Sequence, residues 1–494
     1  MNQPDELSQQ VRRGARAVIG LQLAGQIVSI VVLAALYRLV DPSQFGLLGM
    51  ILPVTLLLRS VGTLGLNIAA VQQRDLTQSQ ASALFWIQIL AGVVLTIVAA
   101  ALAPALAFFY AAPELLAPAL AMSGTALAAN LFTQHQAMAE KRLRLGELAV
   151  ARFTSQLIAG VAAIALAYSE LGIWALVAQQ YVELLLLTFG VWWIEPWRPD
   201  APGREPTLAP LLHFGGYYTL SGLLFAAAQN LDKVLLALLI GHTEAGQRLI
   251  GYYSQAFNQM MKPVYLATVP LASAMLPALA ATRDEPTHFR DTAAEFYRFA
   301  AIVLAPCSAG LAVVGQNAMV VLGGPEWQTA GLLLSIMALA ALAQGLINIC
   351  GSLLAAVGQA KRLALGALAI GLVLSAGYAI AVVVARQWDG DWAVTLGLAI
   401  AYAAATLLIA PGYLAFCFTI SDADGKRIAG AMAPAIVAAI VMGVLTWGVQ
   451  YLLLQYATLP PIVTLGLTIL FGAIVYVGVA QGEVRWLLRR MKND

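Results

Sequence analysis

Charge is scarce in this chain. Only 11% of its 494 residues are Asp, Glu, Lys or Arg, where a soluble domain carries about 25%. That excludes an ordinary water-soluble domain. Basic and acidic residues nearly cancel, 27 against 25, which removes the electrostatic footprint of a nucleic-acid binder. Histidine and cysteine are equally sparse. His135, His213, His242 and His288 are scattered, and Cys307, Cys350 and Cys417 form no CxxC and no ligand spacing. No metal centre, disulfide framework or cofactor is therefore expected, and the three thiols read as small buried hydrophobes.

What the chain has instead is apolar length. It is 61% hydrophobic, with a mean hydropathy of +0.80. A helix needs about 20 apolar residues to cross the hydrocarbon core. By that measure there are about fourteen spans: 15–36, 44–69, 80–108, 116–135, 149–168, 172–194 and 211–240, then 252–280, 293–315, 329–355, 363–385, 393–417, 430–452 and 462–480. The first run, after a polar segment 1–16, is too long for a signal-peptide core. The longest connection, 195–210, leaves no room for a soluble domain. The fold class expected is an all-α membrane protein.

Placing the N-terminus in the cytoplasm puts nineteen of the 27 Lys and Arg residues on the inner side and three, Arg38, Arg248 and Arg386, outside. That asymmetry orients both termini inward. The basic tail 484–492, with Trp486, Leu487 and Leu488 interleaved, is expected on the inner surface against anionic lipid. An internal repeat is also visible. Laying 24–36 over 227–239 brings Gln26 onto Gln229 and Leu36 onto Leu239, and two inserted residues later Gly46 falls on Gly251. Two pseudo-symmetric six-helix lobes, 1–195 and 196–417, followed by two extra helices in 418–494, account for the pattern. Transporters built from repeats bind substrate between them near mid-membrane.

Asn230-Leu-Asp232-Lys233, then Leu239-Ile-Gly241, Gly251-Tyr-Tyr-Ser-Gln-Ala256, Pro263 and Leu276-Pro277 form the most recognisable stretch. Leu36–Gly46, Gln72-Gln-Arg-Asp-Leu76, Phe85-Trp86, Gly172–Val177, Gly324-Pro-Glu-Trp327 and Ala355–Gly358 with Lys361 agree with it in order and spacing. Together they resemble the polysaccharide-transporter branch of the MOP superfamily, the Wzx-type lipid-linked oligosaccharide flippases. The resemblance covers residues 12 to about 365. It implies a two-lobed bundle, alternating access, and movement of a polyprenyl-pyrophosphate-linked repeat unit to the outer leaflet of the plasma membrane. It also implies work beside a polysaccharide polymerase and export machinery.

Ionisable residues inside spans mark function by default. Arg59 and Glu183 fall near the middle of the second and sixth spans. Asp232 and Lys262 fall at similar depth on consecutive antiparallel helices, so they are expected to be able to pair. Lys233, turned ~100° from Asp232, is expected to face elsewhere. On the family reading, Arg59 with Lys233 or Lys262 meets the pyrophosphate, since arginine offers a planar fork to phosphate oxygens. Glu183 or Asp232 carries a coupling proton or ion, or Asp232 is structural. Pro263, Pro270 and Pro277, at seven-residue spacing, suit a hinge. A cation-coupled multidrug exporter of the same superfamily is the alternative, but its first-helix carboxylate is missing from 18–36. A membrane glycosyltransferase or polymerase needs loop acids. The only close pairs, Asp389/Asp391 and Asp422/Asp424, read as solvated turns.

Overall fold

Lipid offers backbone amides and carbonyls no hydrogen-bond partner, and a helix pairs them within itself. The apolar runs fold accordingly. The computed structural model describes residues 3–62, 76–201, 209–388, 390–457 and 459–493. Residues 72–75 of the third-helix motif, Arg204 and Asp389 lie outside them. Among the described residues there is no β-strand. In chain order the helices are α1 (Gln3–Leu39), α2 (Pro42–Gly62), α3 (Gln78–Phe109), α4 (Leu116–Ser123), α5 (Thr125–Lys141), α6 (Leu145–Tyr168), α7 (Ile173–Ile194) and α8 (Ala209–Ile240). They continue as α9 (Glu244–Ala281), α10 (Pro286–Gly323), α11 (Gln328–Ala338), α12 (Ala341–Ala356), α13 (Ala360–Ala385), α14 (Asp391–Ser421), α15 (Gly425–Tyr456), α16 (Pro461–Val479) and α17 (Gln481–Asn493).

Within the described residues the expected spans fall on these helices or on the pairs α4–α5 and α11–α12; residues 63–69 of the second span lie outside them. The count among the described residues is lower than the fourteen expected. Among the described residues twelve helices are long and apolar enough to cross a membrane, or thirteen if the bent pair ending in α11 and α12 is one span. Side chains at 209–222 lie outside the described residues, so α8 is not in that number. The bent pair turns by 55°. A bend breaks the helical ladder and frees carbonyls. Here Ser308 Oγ on α10 donates to the Ala338 carbonyl at 2.6 Å, repairing the break from outside.

Contacts group the chain into two units, Met1–Gly251 and Tyr252–Asp494. In the first, α1 lies along α6. Val32 packs into the space left by Gly160, and Gln156 Nε2 donates to the Gly25 carbonyl at 3.2 Å. Thr77 opens α3 with a capping box closed by Gln80. The starts of α2 and α9 press together backbone to backbone. A Cβ on Gly46 would stand 1.8 Å from the Gln247 carbonyl oxygen, and a Cβ on Gly251 would stand 2.1 Å from that of Pro42. Pro42 and Gln247 each precede their repeat's glycine by four residues, so the contact is reciprocal, as a two-fold relation requires. Asp41 Oδ1 accepts from Ser43 N at 2.8 Å, and Asp41 Oδ2 pairs with Arg248 at 3.0 Å.

In the second unit α10 runs beside α15 and α16 over a core of Ala305, Ala438, Ala439, Met442 and Tyr476. The tail is helical, as α17, and one of its faces is held by protein rather than left to lipid. Glu483 takes a two-pronged contact from Arg298, at 2.7 and 2.9 Å. Trp486 lies 4.4 Å from the same guanidinium, and Arg490 pairs with Glu295.

Gly46→Ala and Gly251→Ala each drive a methyl into backbone, and overpacking of this kind costs about 1–3 kcal/mol. Both variants are expected to melt several degrees lower in detergent. Gly448→Ala, which meets nothing within 4 Å, is expected to leave the melting temperature unchanged or raise it. Equal melting of all three would remove the close approach.

Candidate functional site

A charge in a membrane helix costs roughly 2.5–3.5 kcal/mol on insertion scales, so each such residue needs a partner or an aqueous cavity. In the first unit Arg59, three residues before Gly62, is half-buried, and so is Glu183 in mid-α7. Glu183 lies in the field of Arg59 first and of Arg152, an exposed residue of α6, second. The neighbour of Glu183, Leu184, seats against Ala128 and Ala129 of α5. A Cβ on Gly62 would come within 2.7 Å of the Asn130 amide nitrogen. Helices α2, α5 and α7 thus converge near Arg59 and Glu183. The approach of Glu183 to Arg59 and Arg152 is not visible in the sequence, because the three residues lie on different helices. The fields of two guanidinium groups overlap at one carboxylate here, which leaves a surplus positive charge.

Asp232 and Lys233 require a correction. They were expected to face apart, yet Lys233 Nζ lies 3.2 Å from Asp232 Oδ1 and donates to the Gln229 carbonyl at 3.1 Å. The Lys233 amide donates to the same carboxylate oxygen at 2.8 Å. Divergence of ~100° separates Cβ vectors, but the four-carbon lysine stem is long enough to fold back. Asp232 is wholly buried and Lys233 is 5% exposed. Lys262 is half-buried on α9, a helix that runs unbroken through Pro263, Pro270 and Pro277.

A further assembly closes one end of the first unit, and only its tryptophans and arginines signalled it in the sequence. The segment after α7 is strapped across α3, α5 and α6. His135 donates from Nε2 to the Trp197 carbonyl at 3.2 Å and stacks on Trp192 with ring centroids 4.1 Å apart. Phe85 and Trp197 close the box around it. Buried Glu195 takes Arg142 at 2.6 Å, Arg144 reaches the Ile194 carbonyl, and Trp197 Nε1 donates to Gln78 Oε1 at 2.5 Å. Trp86 Nε1 donates to the Asp200 carbonyl at 2.8 Å.

Residues 32–332 match the family model described as polysaccharide biosynthesis protein. The chain is 26% identical over 360 residues to the teichuronic acid biosynthesis protein TuaB of Bacillus subtilis (strain 168), covering 72% of this chain and 73% of that one. It is 23% identical over 335 residues to the lipopolysaccharide biosynthesis protein WzxC of Escherichia coli (strain K12), covering 67% and 66%. The fold is similar to that of the lipid II flippase MurJ in an inward closed conformation. The TM-score is 0.70 at 12% identity, over 95% of this chain and 99% of that one.

Breaking a buried ion pair leaves an uncompensated charge and costs about 3–5 kcal/mol, whereas replacing both members by apolar residues is often neutral. Asp232→Ala is therefore expected to abolish accumulation of folded protein in membranes. Asp232→Leu combined with Lys233→Met is expected to restore most of it. A double variant as unstable as the single would show that the two side chains act separately.

Proposed function

Because this chain belongs to the polysaccharide biosynthesis protein family, we propose that it is a flippase, moving a polyprenyl-pyrophosphate-linked oligosaccharide repeat unit across the plasma membrane by alternating access. The match over residues 32–332 is the observation that carries this reading. The named relatives serve teichuronic acid and lipopolysaccharide biosynthesis, and the fold is shared with a lipid II flippase. The protein is a multi-pass membrane transporter, not an enzyme. The excess of Lys and Arg on one side supports cytoplasmic placement of both termini. Membrane lipid and the lipid-linked oligosaccharide are its partners, with a polymerase and export machinery acting downstream.

Arg59 is assigned as the first contact for the pyrophosphate. Its half-burial keeps it within reach of a cavity, and the surplus charge of Arg59, Arg152 and Glu183 favours an anion. Glu183 is the counter-ion that gives way when phosphate oxygens arrive, which leaves it free to take up a proton. Lys262 is a second cationic contact. Lys233, engaged by Asp232, is assigned to helix packing together with that carboxylate. Pro263, Pro270 and Pro277 are the points at which α9 bends as access alternates.

Arg59→Ala is expected to abolish surface polysaccharide in producing cells while the protein still inserts and accumulates. Arg59→Lys, which keeps the charge but loses the fork, is expected to retain a fraction of export. Undiminished polysaccharide from cells carrying Arg59→Ala would sink the assignment.

A further inference from the structure

Unpartnered buried polar atoms gather in one seam of the first unit. Among the described residues, Nε2 and Oε1 of both Gln88 and Gln134, Oδ1 of Asn130, Oγ1 of Thr96, Nδ1 of His135 and Oε2 of Glu195 are enclosed and have no hydrogen-bond partner. Gln88, Asn130, Gln134, His135 and Glu195 are each 0% exposed. Leaving a buried amide unpaired is costly, because its hydrogen bonds to water are given up with nothing in exchange. A sequence that places two glutamines so has therefore made a place for something polar.

The register is fixed at both ends. Phe85 of α3 meets His135 of α5 with centroids 5.7 Å apart. About two turns further along α3, a Cβ on Gly92 would stand 3.1 Å from Leu127 Cα and 3.3 Å from Asn130 Cβ. The helices are antiparallel, so Gln88 and Gln134 stand at one level between these contacts. Thr96 continues the same face of α3 one turn beyond Gly92. At one end of the seam are His135 and Glu195, under the strap. At the other, Asn130 backs onto Gly62 of α2, and Leu184 seats on Ala128 and Ala129. That end is the neighbourhood of Arg59 and Glu183.

We propose that this seam between α3 and α5 binds a file of water molecules that carries protons between the Glu195–His135 end and Glu183. Water suits it better than a metal cation does, because the amides present unpaired donors as well as acceptors, and a buried water makes about three hydrogen bonds of both kinds. In the step itself a hydronium ion at the strap gives up a proton, the file passes it on, and the Glu183 carboxylate becomes a carboxyl group. No other bond changes. The charged groups facing Glu183 are Arg59 from α2 and Arg152 from α6. Helix α4 has none, and those of α5, Glu140 and Lys141, lie at its far end with His135 one to two turns before them. Around His135 stand Glu195, Arg142 and Arg198, the last over the Trp192 ring at 5.5 Å.

The proton's destination rests on the reading of Glu183 as a counter-ion that gives way, and the water file does not. Radiolytic hydroxyl-radical labelling of the full chain in lipid nanodiscs tests the file directly. Phe85 and His135 are expected to label far faster than Tyr37, which is 0% exposed but outside the seam. Labelling no faster than Tyr37 means that the two amides pair with each other in a dry core, and it overturns the proposal. A pH-jump infrared measurement without substrate follows the carboxyl band that Glu183→Gln removes. Gln88→Leu with Gln134→Leu is expected to slow its appearance about tenfold while leaving its final size unchanged, as for a broken proton relay. An unchanged rate overturns the route. Should the double variant not fold, the labelling of the unsubstituted protein decides. Export surviving Arg59→Ala would overturn the pyrophosphate site and leave the labelling result untouched.

Discussion

Absence of water is the constraint from which the rest of this structure follows. In hydrocarbon a polar group is satisfied by its own chain or remains a large cost. The helices are the first answer to it. The hydroxyl of Ser308, which supplies the hydrogen bond to Ala338 where the α11–α12 pair turns, is a second. Lysine 233, curled onto its neighbour Asp232 and the carbonyl of Gln229, is a third. Each polar group that follows the rule is structural. Arg59 in the field of Glu183 and the amides between α3 and α5 depart from that rule, and the substrate contact and the water file are proposed at these departures.

That distinction separates two kinds of charge with similar sequence signatures. Asp232 and Lys233 are balanced and shut away. Arg59, Arg152 and Glu183 are unequal in number and only partly enclosed. A transporter for a phosphate-bearing lipid needs an anion site that is not so satisfied that substrate cannot compete for it. One carboxylate in the field of two guanidinium groups, the site proposed for this protein, would meet that requirement, because its release costs less than stripping a fully paired arginine.

The membrane spans were legible because length and hydropathy depend on local composition alone. The repeat was legible from Gln26 over Gln229 and Gly46 over Gly251, although nothing in one dimension shows that Gly46 and Gly251 pack reciprocally against the opposite repeat. Asp232 and Lys233 were misread because Cβ geometry governs short side chains, not a lysine stem. The nearness of Arg59 to Glu183 was hidden by distance along the chain, since it depends on α2 and α7 meeting. His135 looked isolated for the same reason: its companions Phe85, Trp192 and Trp197 come from other segments. The bend within the α11–α12 pair was not legible, because hydropathy reads an apolar run as one straight element.

The groups that receive α17 were made long before it. Arg298 and Glu295 lie on α10, and their partners Glu483 and Arg490 follow 185 and 195 residues later. Arg298 and Glu295 also stand three residues apart on one face of α10, where opposite charges can hold each other. Docking of α17 therefore trades one pairing along α10 for two between helices, and none of the four charges is left unmatched by the exchange.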